Sequence, residues 1–188
     1  MKTKYIKTTA ELIGLQIFFA VLSAIFSFFF SWIKNWEIFY SIFTGWLFLG
    51  AVHSTFWQMG NKDYKNNVIY NNNLDENIPK RKLSMLGGLK YGSGFFVINV
   101  LIGLFTMLFD FNIEKGLGVL ALLHRIMLLP LSGFIPDVTK SYYWIGCFLL
   151  YIVMYIPCIT AYISGAHNFS LTEKYVPKII YKSKSKKD

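Results

Sequence analysis

Four long apolar runs constrain this chain more than any other feature. Residues 11–33, 36–59, 83–109 and 141–165 are each about twenty or more residues of mostly apolar character. As helices rising about 1.5 Å per residue, each is long enough to cross roughly 30 Å of hydrocarbon. In hydrocarbon the backbone must satisfy its own N–H and C=O groups, so single spanning segments are helices. The chain is 54% hydrophobic and only 15% charged, too little polar surface for a soluble domain of 188 residues. These features predict an all-α fold, a polytopic transmembrane bundle of four helices over residues 1–165, with a basic tail over 166–188. The first run follows "MKTKYIK" but continues from Leu12 to Ile33. That exceeds the apolar core of about 7–15 residues in a cleaved signal, so it is read as an uncleaved first helix.

A fifth segment, "GLGVLALLHRIMLLPLSGFIP" from Gly116 to Pro136, is apolar enough to span but carries His124 and Arg125 at its centre. A central arginine costs about 2.5–3.5 kcal/mol on insertion scales. The distribution of basic residues argues the same way. The N-terminus (Lys2, Lys4, Lys7), residues 60–82 and the tail together hold 14 of the 19 lysines and arginines. Cytoplasmic loops carry such an excess. Four spans put all three basic regions in the cytoplasm, whereas a fifth would send the six-lysine tail outside. Residues 117–134 are therefore expected at the outer face as an interfacial or re-entrant helix, with His124 and Arg125 at the headgroups and Pro130 bending or ending it. Residues 60–82, "GNKDYKNNVIYNNNLDENIPKRK", are expected as a polar loop. The localisation that follows is the cell membrane, multi-pass, with both termini cytoplasmic.

Small residues recur every four positions on three runs: Ser23, Ser27 and Ser31; Ser84, Gly88 and Gly92; Ala161 and Gly165. This spacing stacks them on one helix face and allows close backbone approach, within the bundle or with another protein. Cys147 and Cys158 lie eleven residues apart within one run, roughly 16 Å along a helix, and are expected as unpaired packing residues.

Ionisable residues inside a span are candidates for function. His53 lies within the second run. Gln16, Lys90 and Ser93 fall at matching depth, and these four are the candidate ligand-binding cluster, with a His53 that merely bonds a neighbouring carbonyl as the structural alternative. Asn99 is expected to join helices. Asp110, Glu114, His124 and Asp137 could meet on the outer side, although solvated loop charges explain them as well. No His, Cys or acidic set has metal-ligand spacing, so no metal and no cofactor is expected. "KYGSGFF" departs at Tyr91 from the G-x-S-G nucleophile pattern of rhomboid intramembrane proteases, and no other catalytic signature is present. No catalytic residue is assigned.

Three segments, "WQMGNKD" (Trp57–Asp63), "KLSMLGGLKYG" (Lys82–Gly92) and "ISGAHNFSLTEKYVPKIIYK" (Ile163–Lys182), resemble a group of small, uncharacterised four-helix integral membrane proteins of Gram-positive bacteria. The resemblance implies four spans and brings no activity. The function expected is that of a non-enzymatic accessory or interaction component working through helix–helix contacts. A small transporter or ligand-binding subunit with a polar site around His53 is the alternative, and an intramembrane enzyme is the remaining one. The expected partners are the lipid bilayer, anionic headgroups at the inner face, and a membrane-protein partner or second copy; the basic charge is read as topological rather than as a nucleic-acid footprint.

Overall fold

The structure, a computed structural model, describes residues 2–32, 36–73, 83–112, 116–135 and 142–169. Five α-helices run in the order α1 (Lys2–Phe30), α2 (Trp36–Asn72), α3 (Gly87–Phe105), α4 (Val119–Leu128) and α5 (Tyr143–Ala166). A π-helical turn, Thr106–Asp110, prolongs α3, and Phe111–Asn112 pairs antiparallel with Gly116–Leu117 before α4 begins. Four helices, α1, α2, α3 with its π-turn, and α5, are long and apolar enough to cross a membrane. Between 28% and 33% of each apolar window is buried inside the bundle. The larger apolar share faces outward, as hydrocarbon requires and water would not tolerate. We call the end that carries Lys4, Asp63, Gly87 and Ala166 basal, and the end that carries Phe30, Trp36 and Tyr143 apical.

The core seam belongs to α5. Cys147, Tyr151, Met154, Cys158, Ala161 and Gly165 recur at three- and four-residue intervals and are all buried. Opposite them lie Phe48, Val52, Phe56 and Gly60 of α2 and Gly88 and Gly92 of α3, also buried. The two contacts need glycine. A Cβ on Gly60 would stand 2.3 Å from the Tyr162 carbonyl oxygen, and one on Gly165 would stand 2.1 Å from that of Trp57. In a bilayer, where apolar burial adds little drive, such backbone approach supplies the packing. The ridge of Gly88 and Gly92 and that of Ala161 and Gly165 are thus spent within the chain. On α1, Ser23 is buried, while Ser27 is half-buried and Ser31 exposed, and both bond carbonyls of their own turn. Both cysteines are free and buried.

Residues 117–134 do not cross. α4 enters from the apical end, breaks at Leu128–Pro130, and a 3-10 segment, Leu129–Phe134, returns to the same end, where Gly133 lies against the Glu37 carbonyl. The segment is re-entrant and reaches deep. Pro130 has no N–H, and Leu131 departs from helical geometry at φ −120° and ψ 15°, so the last carbonyls of α4 lose their in-helix donors. Side chains of other helices replace those donors. Gln16 Nε2 donates to the Met127 carbonyl at 2.9 Å and the Thr44 hydroxyl to that of Pro130 at 3.0 Å. The Gly133 N–H donates to Ser41 Oγ at 2.7 Å, and Tyr40 and Ser132 pair their hydroxyls. Non-helical backbone persists at this depth only because protein surrounds it.

Two expectations are corrected. His124 does not point to headgroups. Its ring is 1% exposed, tilted against Trp144 at 5.5 Å and edge-on to Tyr151 at 6.0 Å, because the re-entrant course turns that face of α4 onto α5. Residues 60–72 are not a loop. They continue α2, because Gly60 seats on α5 while Asp63 is bound by Lys4 and Tyr162, and these contacts outweigh weak local propensity. The rest of that expected loop, residues 74–82, and the tail from 170 lie outside the described residues, as do Glu114 and Asp137.

Candidate functional site

The four residues proposed from sequence depth do not meet. Gln16 is fully buried, with its amide paired to Asn99 (Nε2 to Oδ1 2.8 Å, returned Nδ2 to Oε1 3.3 Å) and to the Met127 carbonyl. Asn99 also donates to the Phe95 carbonyl at 3.0 Å, so it joins α1 to α3 and, through Gln16, to the elbow after α4. His53 lies on the outward face of α2. Lys90 is exposed near the basal end, and the Ser93 hydroxyl bonds the Lys90 carbonyl at 2.9 Å.

Around His53 the structure exposes a polar strip. Gly50, His53, Ser54 and Gln58 share one face of α2 and are all exposed, continuing the line of Trp46, which is 72% exposed. The helical angle explains the grouping: offsets of three, four and eight residues return to nearly the same side. Ser54 and Gln58 touch through a weak bond of 3.4 Å between Gln58 Nε2 and Ser54 Oγ. At Gly50 a Cβ would meet nothing within 4 Å. By contrast, Thr55 on the adjoining face bonds its own Ala51 carbonyl at 3.0 Å. The strip lies in the part of α2 that is expected to sit in hydrocarbon, where outward polar side chains are costly.

A second feature is a polar cleft of about 440 Å³ at the basal end, walled by α1, α2, α3 and α5. Lys4 Nζ makes both bonds to the Asp63 carboxylate, at 2.8 and 3.1 Å, and lies 4.7 Å from the centre of the Tyr91 ring. The Tyr162 hydroxyl donates to the same carboxylate at 2.9 Å. Asn67 Oδ1, on the cleft wall, is sealed from solvent with no partner among the described residues. Asp63 and Asn67 were hidden by the loop expectation. The signal that could have revealed them is the continued helical spacing Phe48, Val52, Phe56, Gly60, Asp63, Asn67, which runs unbroken past the apolar block. Among the described residues no three His, Cys, Asp or Glu side chains gather closely enough to hold a metal ion.

Comparison with protein-family models, with curated proteins and with solved structures finds no match.

Proposed function

We propose that this is a non-enzymatic cell-membrane protein, with both termini in the cytoplasm, that works by associating with a second copy of itself through the outward polar face of α2. The observation that carries this reading is the exposure of His53, Ser54 and Gln58 within the membrane-crossing part of α2. Polar side chains at such depth almost always face protein. Among the described residues, none covers them. A second copy is the occupant that fits best. A two-fold axis along the membrane normal brings equal depths together, so each residue meets its own counterpart. Hydroxyl, amide and imidazole groups both donate and accept, which makes the strip self-complementary. Gly50 leaves room for the backbones to approach. The small-residue ridges of α3 and α5 give no support to outside contact, since they are already filled. The basal excess of lysine and arginine supports a cytoplasmic basal end.

The test is oxidative crosslinking in native membranes. Ser54→Cys is expected to give a disulfide dimer on a non-reducing gel, whereas Val21→Cys, which is exposed on α1, is not. Gly50→Leu is expected to remove the dimer without harming the fold, because the single chain has open space there. A monomeric Ser54→Cys protein, or a dimer indifferent to Gly50→Leu, overturns the proposal.

A further inference from the structure

Further from the basal end than the cleft along α3, a groove of about 330 Å³ lies between α1 and α3. We infer that the two together hold one net-negative, hydroxyl-bearing diacyl phospholipid, with its phosphate in the cleft and an acyl chain in the groove. The chemistry along α3 changes in the order such a lipid presents. Lys90 lines the cleft, while Gly94 and Val97, one and two turns further from the basal end, line the groove. Among the described residues that line it, the cleft holds two cations, Lys4 and Lys90, against one carboxylate, Asp63. Lys4 is committed to Asp63 and the Tyr91 ring. Lys90 enters neither ion pair found among the described residues, which are Lys4–Asp63 and Lys7–Glu11. Among the described lining residues one positive charge is left for a phosphodiester.

Two atoms without a partner among the described residues, Asn67 Oδ1 and Thr9 Oγ1, mark the rest of the outline. Asn67 Oδ1 is an acceptor without a donor, which a headgroup hydroxyl supplies. Thr9 is 8% exposed, lines the groove, and its hydroxyl has no partner. It stands at the level where a lipid ester carbonyl would accept. Beyond it the groove wall is Ile6, Ile13 and Val97, which are apolar. Gly94 lets α1 approach α3 at the groove: a Cβ there would lie 2.4 Å from Thr9 Oγ1 and 2.6 Å from the Tyr5 hydroxyl oxygen. A zwitterionic lipid brings its own cation toward Lys90 and satisfies the site less well.

Native mass spectrometry of the purified protein, released from micelles with equal phosphatidylglycerol and phosphatidylcholine, tests this. The expected result is one retained lipid per chain, with phosphatidylglycerol strongly favoured. Lys90→Gln should reduce that preference about fivefold, the worth of one lysine near an anionic surface. Val97→Trp should reduce retention of either lipid by filling the groove, with the charges untouched. Equal retention of the two lipids by the unaltered chain, or a preference indifferent to Lys90→Gln, overturns the inference. If glycerophosphate, which has the charge but no chains, displaces the retained lipid at matched concentration, the site belongs to a free anion and the lipid assignment fails. None of these readouts depends on dimer formation.

Discussion

Gln16 shows how a polar side chain in a span can be wholly structural. Its amide offers two N–H groups and one carbonyl, and all are occupied, by Asn99 and by the Met127 carbonyl. Truncation to an apolar side chain strands partners on two other elements. Gln16→Leu is therefore expected to lower stability by about 1–3 kcal/mol, the cost of leaving buried polar groups unpaired. Ala24→Leu, at an exposed position of the same helix, is expected to change little. Equilibrium unfolding in mixed micelles reads both. Depth alone made Gln16 and His53 look equivalent in the sequence. They differ by the azimuth of their helices, which depends on where α5 and the re-entrant elbow pack, and no local pattern encodes that.

At the scale of elements, the apolar blocks and the charge bias were legible because each follows from composition over twenty residues. The failure of residues 117–134 to cross was legible for the same reason: Arg125 at the centre and the lysines beyond it oppose a fifth span. What the sequence concealed was how deep that segment reaches. The depth depends on Ser41 and Thr44 of α2 and Gln16 of α1 meeting a broken backbone from two helices, and these residues lie far away along the chain. A concrete check follows from the re-entrant course. Val119→Cys and Phe134→Cys, both exposed, are expected to react with a membrane-impermeant thiol reagent from one side only. Lys65→Cys, at the basal end, should react only from the other. Labelling of positions 119 and 134 from opposite sides would establish a crossing.

At the scale of the molecule, α2 is the spine. Its 37 residues span about 55 Å, well beyond the hydrocarbon. Its basal extension is tied to α1 through Lys4 and to α5 through Tyr162, both at Asp63. The side chains of Lys4 and Asp63 are 41% and 20% exposed, so solvent screens the pair and its net worth is about 1 kcal/mol or less. Asp63→Ala is expected to speed amide hydrogen exchange over residues 60–72 while leaving the buried turn around Phe48 and Val52 unchanged. Uniform acceleration along α2 would show that the tie supports the whole bundle. The re-entrant elbow has one more consequence, for the order of synthesis. Gln16, Ser41 and Thr44 all emerge from the ribosome before the backbone groups at Met127, Pro130 and Gly133 that they will satisfy, and so does Asn99, which holds Gln16. A receptacle made from the first three helices thus exists when the apolar segment arrives. The surfaces that close over His124, Trp144 and Tyr151, are translated afterwards. Biogenesis of this chain proceeds as a cradle, then its occupant, then the lid.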